Sequence, residues 1–352
     1  MSSNISIPDP ASVLAPAPAP DPAHADTRSG TATRHAIDVR HGALPLLLVS
    51  TLWGLGGLVS TLAPARASTS ALAAAGMLLG GGLMLGFTPG ARRLLRTRDR
   101  YSRLLLTLGT LTVLAYQQFF YPAIRQIGVA EATVIALGSA PLFAGLLSRT
   151  IDHARLPFRW LCCAPIAVIG CTLLIIGHGT GAGLGAGSHS QALGVILALI
   201  PGLAYAVTST VAGRLIGAGN ASADVMGAMF GGAALLSVPI LAVTGVGWLS
   251  STHGLGAALF LGLISNCLCY TLFGRALRHT SAAIATTLTL AEGAVGALMG
   301  VAIRGERLTL LAWIGLGLLG AALLTLCVPA RLRTQPARTA AAAAVPPAPG
   351  AQ

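Results

Sequence analysis

Long apolar runs alternate with short polar breaks from residue 42 to residue 328. Ten runs can be marked, at roughly 44–63, 69–88, 104–122, 129–148, 159–177, 192–213, 225–245, 256–274, 282–303 and 309–328. Each is close to the ~20 residues that a helix needs to cross the hydrocarbon core of a bilayer. The runs are continuous instead of alternating residue by residue, which predicts helices and not barrel strands. The pattern fails in three places. Residues 1–41 are polar and rich in Pro and Ala, with APAPAP at 15–20; residues 179–191 are rich in Gly; residues 329–352 are basic and then rich in Ala and Pro. Segments of this kind bury too little apolar surface to offset the entropy of ordering them. The expected organisation is therefore a disordered tail (1–41), a membrane unit (42–178), a flexible linker (179–191), a second membrane unit (192–328) and a second tail (329–352). The first tail lacks a basic start followed by an apolar stretch, so the first run is expected to serve as an uncleaved targeting signal.

The two membrane units read as copies of one another. IRQIGVAEATVIAL at 124–137 falls on LRHTSAAIATTLTL at 277–290, an offset of 153 residues. Arg125 then matches Arg278, Ala132 matches Ala285, Thr133 matches Thr286 and Leu137 matches Leu290; upstream, Leu108-Gly109 matches Leu261-Gly262. Five spans per copy is an odd number, which places the second copy upside down relative to the first. The predicted fold is an all-α integral membrane protein of ten transmembrane helices, arranged as two inverted five-helix repeats. A duplicated membrane unit is a common way to build a secondary transporter, with its site between the halves. Gly227/Gly231 and Gly296/Gly300 are expected to let helices approach closely within the monomer, with a homodimer seam as the other reading. Pro141, Pro165, Pro201 and Pro239 lie inside spans, where each removes a backbone hydrogen bond.

Composition agrees with a lipid environment. The chain is 54% apolar and 9% charged, against about 25% charged in soluble domains. Its net charge of +12 comes from 22 Arg and no Lys. Placing both termini in the cytoplasm puts 18 Arg on the inner side and leaves only Arg66, Arg125, Arg304 and Arg307 outside. That is the positive-inside bias, so the basic charge reflects topology and not nucleic-acid binding. The expected location is the cell membrane. The six cysteines lie in or beside apolar runs and read as small packing residues.

Glu292 is the sharpest candidate for chemistry, because it lies near the middle of the ninth run. A carboxylate there costs about 2.5–3.5 kcal/mol on insertion scales and usually faces a cavity or a partner. A carboxyl group that alternates between hydrocarbon and water exchanges its proton, which suits proton coupling; the competing reading is a structural Glu bonded to a neighbouring helix. Trp53 lies mid-span with Tyr205 as its repeat counterpart, and Tyr116 and Tyr270 form a second matched pair. These four, with the amides of Gln117, Gln118 and Asn266, are expected to line a substrate cavity or else to pack the bundle. Trp160, Trp248 and Trp313 read as interface anchors. Glu131 and Glu306 read as surface or loop residues, and no His is deep in a span. No metal-ligand cluster, phosphate loop or nucleophile with its base stands out, so no metal and no cofactor is expected.

These residues resemble the drug/metabolite transporter superfamily, in particular its EamA family of ten-helix transporters, over about residues 42–328. The resemblance rests on Leu52-Trp53-Gly54, Leu203-Ala204-Tyr205, Leu114-Ala115-Tyr116 and Leu268-Cys269-Tyr270. It rests also on the stretch from Ser281 to Thr309 that leads through Glu292 to Gly305-Glu306-Arg307. It implies a non-enzymatic, gradient-driven exporter (efflux) of amino acids, related metabolites or drugs. Gly293 stands where the family often has Pro, and Ser139 is the first-repeat counterpart of Glu292. A polytopic membrane enzyme would need a polar cluster at the membrane surface, and the loops are sparse in Asp, Glu and His. A non-transporting sensor or scaffold would need a recognisable extra domain.

The Arg bias yields a topology test. Single cysteines replace Arg98 or Ser251 in a background without the native cysteines, and a membrane-impermeant reagent is added to intact cells. Position 251 is expected to label and position 98 to stay protected; the reverse pattern would invert the assignment.

Overall fold

A computed structural model of the protein describes residues 39–60, 68–127, 129–151, 153–177, 189–304 and 307–327. The two tails and most of the 179–191 linker lie outside the described residues, as do Arg66, Asp152 and Glu306, and the side chains of Arg125, Glu131 and Arg304. The described residues are helical, joined by short turns. A π-helical turn (Val39–Ala43) leads into α1 (Leu44–Ser60), followed by α2 (Thr69–Phe87), the short α3 (Pro89–Leu95), α4 (Arg100–Ile127), α5 (Val129–Thr150) and α6 (Phe158–Ile176). The second half runs α7 (His189–Gly217), α8 (Ser222–Thr244), a 3₁₀ turn (Gly247–Ser250) and α9 (Thr252–Leu259). A π-helical stretch (Phe260–Leu268) then continues into α10 (Cys269–Ala276), before α11 (Ala282–Leu288), α12 (Ala291–Arg304) and α13 (Leu310–Cys327).

Eight of these helices or continuous helical stretches are long and apolar enough to cross a membrane, and the first apolar run forms a helix that continues from Val39 through α1. The expected third span is present as the 28-residue α4 but is not among the eight. The start of α4 is fixed by Asp99, whose carboxylate accepts the Ser102 amide at 2.8 Å. The Ser102 hydroxyl and amide hold the Asp99 carboxyl below its ordinary value, as befits an anion at a helix N-terminus.

Helix contacts follow the duplication. α2 packs on α8, α6 on α13 and α5 on α11. The α4–α7 contact has its counterpart in α10 on α1, and α5 on α7 has its counterpart in α12 on α1. These main contacts thus map onto themselves or onto one another when the halves are exchanged, as a pseudo-two-fold arrangement requires. Small residues permit the self-paired contacts. Gly227 and Gly231 face Met84 and Leu85 of α2, Thr88 just after it and Ala91 of α3, so this pair serves a contact inside the monomer. Gly296 has open space around it. Of the expected interface tryptophans, Trp313 is 50% exposed and fits that role. Trp160 does not: it is 5% exposed, and its indole N–H donates to the Ala283 carbonyl and to the Thr287 hydroxyl, each at 3.0 Å. It ties α6 to α11, and Gly145 makes room for its ring. Trp248 is also buried, against α2 and α9.

The α6–α13 contact is backbone against backbone. A methyl group at Gly170 would stand 2.6 Å from the Leu319 nitrogen and 2.8 Å from the Gly315 carbonyl oxygen. Main chain cannot rotate out of the way, so Gly170→Ala is expected to cost about 1–3 kcal/mol by overpacking. Gly317→Ala on α13 meets nothing within 4 Å and is expected to be neutral or slightly stabilising through helix propensity. Thermal unfolding of the purified protein in detergent compares the two; equal losses would show that this contact is not tight.

Candidate functional site

The ninth span is interrupted where Glu292 sits. Its sequence, Thr286-Thr287-Leu288-Thr289, is rich in residues that are poor helix formers and whose hydroxyls compete for backbone groups. α11 ends at Leu288, and α12 begins at Ala291 with Glu292 in its first turn. Across the gap the hydrogen bonds tighten to i→i−3: the amides of Leu290, Glu292 and Gly293 donate to the carbonyls of Thr287, Thr289 and Leu290 at 3.1–3.2 Å. This displaces two carbonyls that a regular helix would pair. Thr286 O instead accepts the Thr289 hydroxyl at 3.0 Å, and Leu288 O faces the buried Ser50 hydroxyl of α1 at 3.5 Å.

The four matched aromatics meet beside this break. The rings of Trp53 and Tyr270 are 5.0 Å apart, those of Trp53 and Tyr205 6.3 Å, and those of Tyr116 and Tyr205 6.1 Å. Most of these approaches are tilted or edge-on, as aromatic quadrupoles prefer. Trp53 donates its indole N–H to the Ser265 carbonyl at 3.1 Å, within the π-helical stretch. The Tyr205 and Thr289 hydroxyls are 3.2 Å apart, so the cluster is tied directly to the helix break. Glu292 lies within electrostatic reach of Tyr205, Tyr270, Cys171 and Cys269. Gly54, beside Trp53, lets α1 approach this turn: a methyl there would stand 3.0 Å from the Glu292 carbonyl oxygen and 2.9 Å from Val295.

Exposure changes along the same elements. Residues 285–291 are all buried, whereas 292–296 are all half-buried; Leu114 to Gln118 on α4 are half-buried too. Every face of α12's first turns is thus partly open, while α11 is enclosed. Trp53, Tyr116 and Tyr270 are half-buried and Tyr205 is 5% exposed. Gln117 is half-buried, with its Oε1 shielded and without a hydrogen-bond partner, as is Nε2 of Gln118. Asn266 is placed elsewhere: it is 5% exposed and lies over Gly76 and Gly80 of α2.

Sequence reading missed four participants. Phe273 joins the cluster 5.7 Å from Tyr205, and Phe230 lies 4.1 Å from Tyr270. Phe273 stands three residues after Tyr270, on the same helix face, which was a usable signal; Phe230, from another helix, gave none. Thr289 was announced by the Thr-rich run. Ser265 acts through its carbonyl, which no side-chain pattern reveals. Among the described residues no group of His, Cys, Asp and Glu is arranged to hold a metal.

The Tyr205–Thr289 tie predicts a non-additive pair. Tyr205→Phe removes one hydrogen bond, and Thr289 keeps its bond to Thr286 O, so a loss of about 0.5–1.5 kcal/mol is expected. Thr289→Val should cost more, and Tyr205→Phe should then add little. Denaturation of the four proteins in mixed micelles measures this cycle; strict additivity would mean the hydroxyls do not interact.

Comparison with known proteins agrees with this arrangement. The EamA-like transporter family matches the chain twice, over residues 40–176 and 192–327. The chain is 31% identical over 284 residues to YwfM of Bacillus subtilis (strain 168), named an uncharacterized transporter, with 81% of this chain and 93% of that protein covered. A solved crystal structure of a protein shares the fold, with a TM-score of 0.66 at 17% identity over 81% of this chain and 96% of that one. With both halves matched by one family and the four aromatics and Glu292 gathered between those halves, the chain belongs to the EamA-like transporter family and is a multi-pass membrane transporter of two repeats.

Proposed function

We propose that the protein is a secondary transporter of the cell membrane that moves a small solute out of the cell by alternating access. It uses ten spans in two inverted repeats, with both termini cytoplasmic. The observation that supports this best is the interrupted ninth span: a helix break next to a lone carboxylate and a matched set of aromatic rings. Discontinuous helices at repeat interfaces are where transporters of this build hold their substrates. Trp53, Tyr116, Tyr205 and Tyr270 form the body of the site, and Gln117 supplies an unpartnered acceptor at its edge. Asn266 acts from behind, by keeping the π-helical stretch against α2. Export as the direction, and amino acids, related metabolites or drugs as the cargo, follow from the family resemblance.

Glu292 is the proton carrier in this reading. No basic side chain pairs with its carboxylate among the described residues. When the cleft beside α12 opens to water, the carboxylate is solvated and releases its proton; when the cleft closes, the neutral acid is favoured. Linking protonation to the state of the cleft is what lets a proton gradient drive the cycle.

Glu292→Gln keeps the shape and removes the titration. Gradient-driven transport in proteoliposomes is expected to fall to background, while slow exchange of substrate across the membrane persists. Unchanged gradient-driven transport would make Glu292 structural and favour uniport or another coupling ion.

A further inference from the structure

We infer that the turn between α3 and α4 is a binding site for an anionic phospholipid. Its Arg side chains take the phosphate headgroup, and an exposed apolar stripe of α4 takes an acyl chain. This goes beyond the transport reading and does not depend on it.

The positive charge there is concentrated and unpaired. Arg93, Arg96, Arg98, Arg100 and Arg103 fall within eleven consecutive residues, and all five are exposed. None of their guanidinium groups has an ion-pair or hydrogen-bond partner among the described residues. Arg92 is different: it donates to the carbonyls of Leu85 and Gly86 and so caps the end of α2. The nearby acids are already placed. Asp99 accepts the Ser102 amide at 2.8 Å at the start of α4, and Asp224 lies against Gly90 at the other end of α3. Arg214 of α7 donates to the Tyr101 hydroxyl at 3.3 Å, which brings a further cation to the same end of α4. The excess charge is left for an outside anion, and phosphate oxygens match guanidinium donors best.

The apolar stripe decides which phosphate compound fits. Leu104, Leu108 and Leu111 follow Arg100 at helical spacing, and all three are exposed. Arg100 to Leu111 spans about 16 Å along the helix, close to one leaflet of a hydrocarbon core about 30 Å thick. A headgroup on the Arg turn thus has its chain beside these leucines. A soluble phosphate or a nucleic acid would use the charges and leave the stripe bare.

Neither the fold nor the orientation needs this cluster. The matching stretch of the second repeat, 245–256, makes the same connection with no Arg. Without the five, thirteen Arg would still stand inside against four outside on the proposed topology.

Native mass spectrometry of the full chain in mild detergent counts bound lipids during titration. The probes are phosphatidylglycerol, phosphatidylcholine with the same chains, and glycerophosphoglycerol, the headgroup without chains. Phosphatidylglycerol is expected to bind at least ~10-fold tighter than either of the others. Changing all five Arg to Gln should bring phosphatidylglycerol to within about twofold of phosphatidylcholine, whereas changing them to Lys should keep most of the preference. Changing Arg149, Arg155 and Arg275 to Gln, which are exposed elsewhere, should leave the preference within about twofold. Only monodisperse proteins with near-native thermal midpoints are compared. If the fivefold Gln protein fails this, Arg96→Gln with Arg98→Gln replaces it, with a loss of about fivefold or more expected. No preference for phosphatidylglycerol, a preference indifferent to the Gln changes, or an equal loss from the three distant Arg would each overturn the inference. Glycerophosphoglycerol binding as tightly as the lipid would overturn it in favour of a soluble phosphate.

Discussion

A helix in hydrocarbon can be broken only where something other than water takes up its backbone groups. The ninth run meets this condition largely with its own threonines. Thr289 turns its hydroxyl onto Thr286 O, and the amides that follow shift to i→i−3 partners. The rest of the site depends on that local solution. It sets Glu292 at the start of a fresh helix segment, and it leaves Thr289 within reach of Tyr205, the ring through which the aromatic cluster meets the break. Gly54 is the companion requirement, since it lets α1 come close to the Glu292 carbonyl.

The two halves share a plan but not a division of labour. The main contacts pair across the pseudo-two-fold, yet the eighth and ninth runs are irregular within their length where their first-half counterparts are not. The π-helical stretch in the eighth span and the break in the ninth have continuous helices, α4 and α5, as their first-half counterparts. Ser139 stands opposite Glu292 in the repeat, and the Gly202 backbone lies against its hydroxyl. Exposure also changes along the ninth run: residues 285–291 are buried and 292–296 half-buried.

Much of this was legible in the residues, and the parts that were not have physical reasons. Their matching places in corresponding runs of the two repeats suggested that Trp53, Tyr205, Tyr116 and Tyr270 would converge, and their rings do meet. Trp160 misled because position near a span end does not say which way an indole points; Gly145 and the carbonyl of Ala283 decide that. Asn266 misled for the opposite reason: a mid-span amide suggests a cavity, but the glycines of α2 on the next helix receive it. The helix break itself was not expected, although the Thr-rich run contained its cause.

On the proposed transport cycle, the bundle opens alternately on the α12 side and the α11 side of the break at Thr289–Leu290. Paired spin labels test it most directly. One pair, at Phe119 on α4 and Leu298 on α12, reports the first side; another, at Arg149 on α5 and Arg278 beside α11, reports the second. All four positions are exposed. Distance distributions measured at high and low pH in nanodiscs should shift in opposite directions, one pair shortening as the other lengthens, with the Glu292→Gln protein held at the low-pH distribution. Distributions that stay single and unchanged in both pairs, or that lengthen together, would contradict the account.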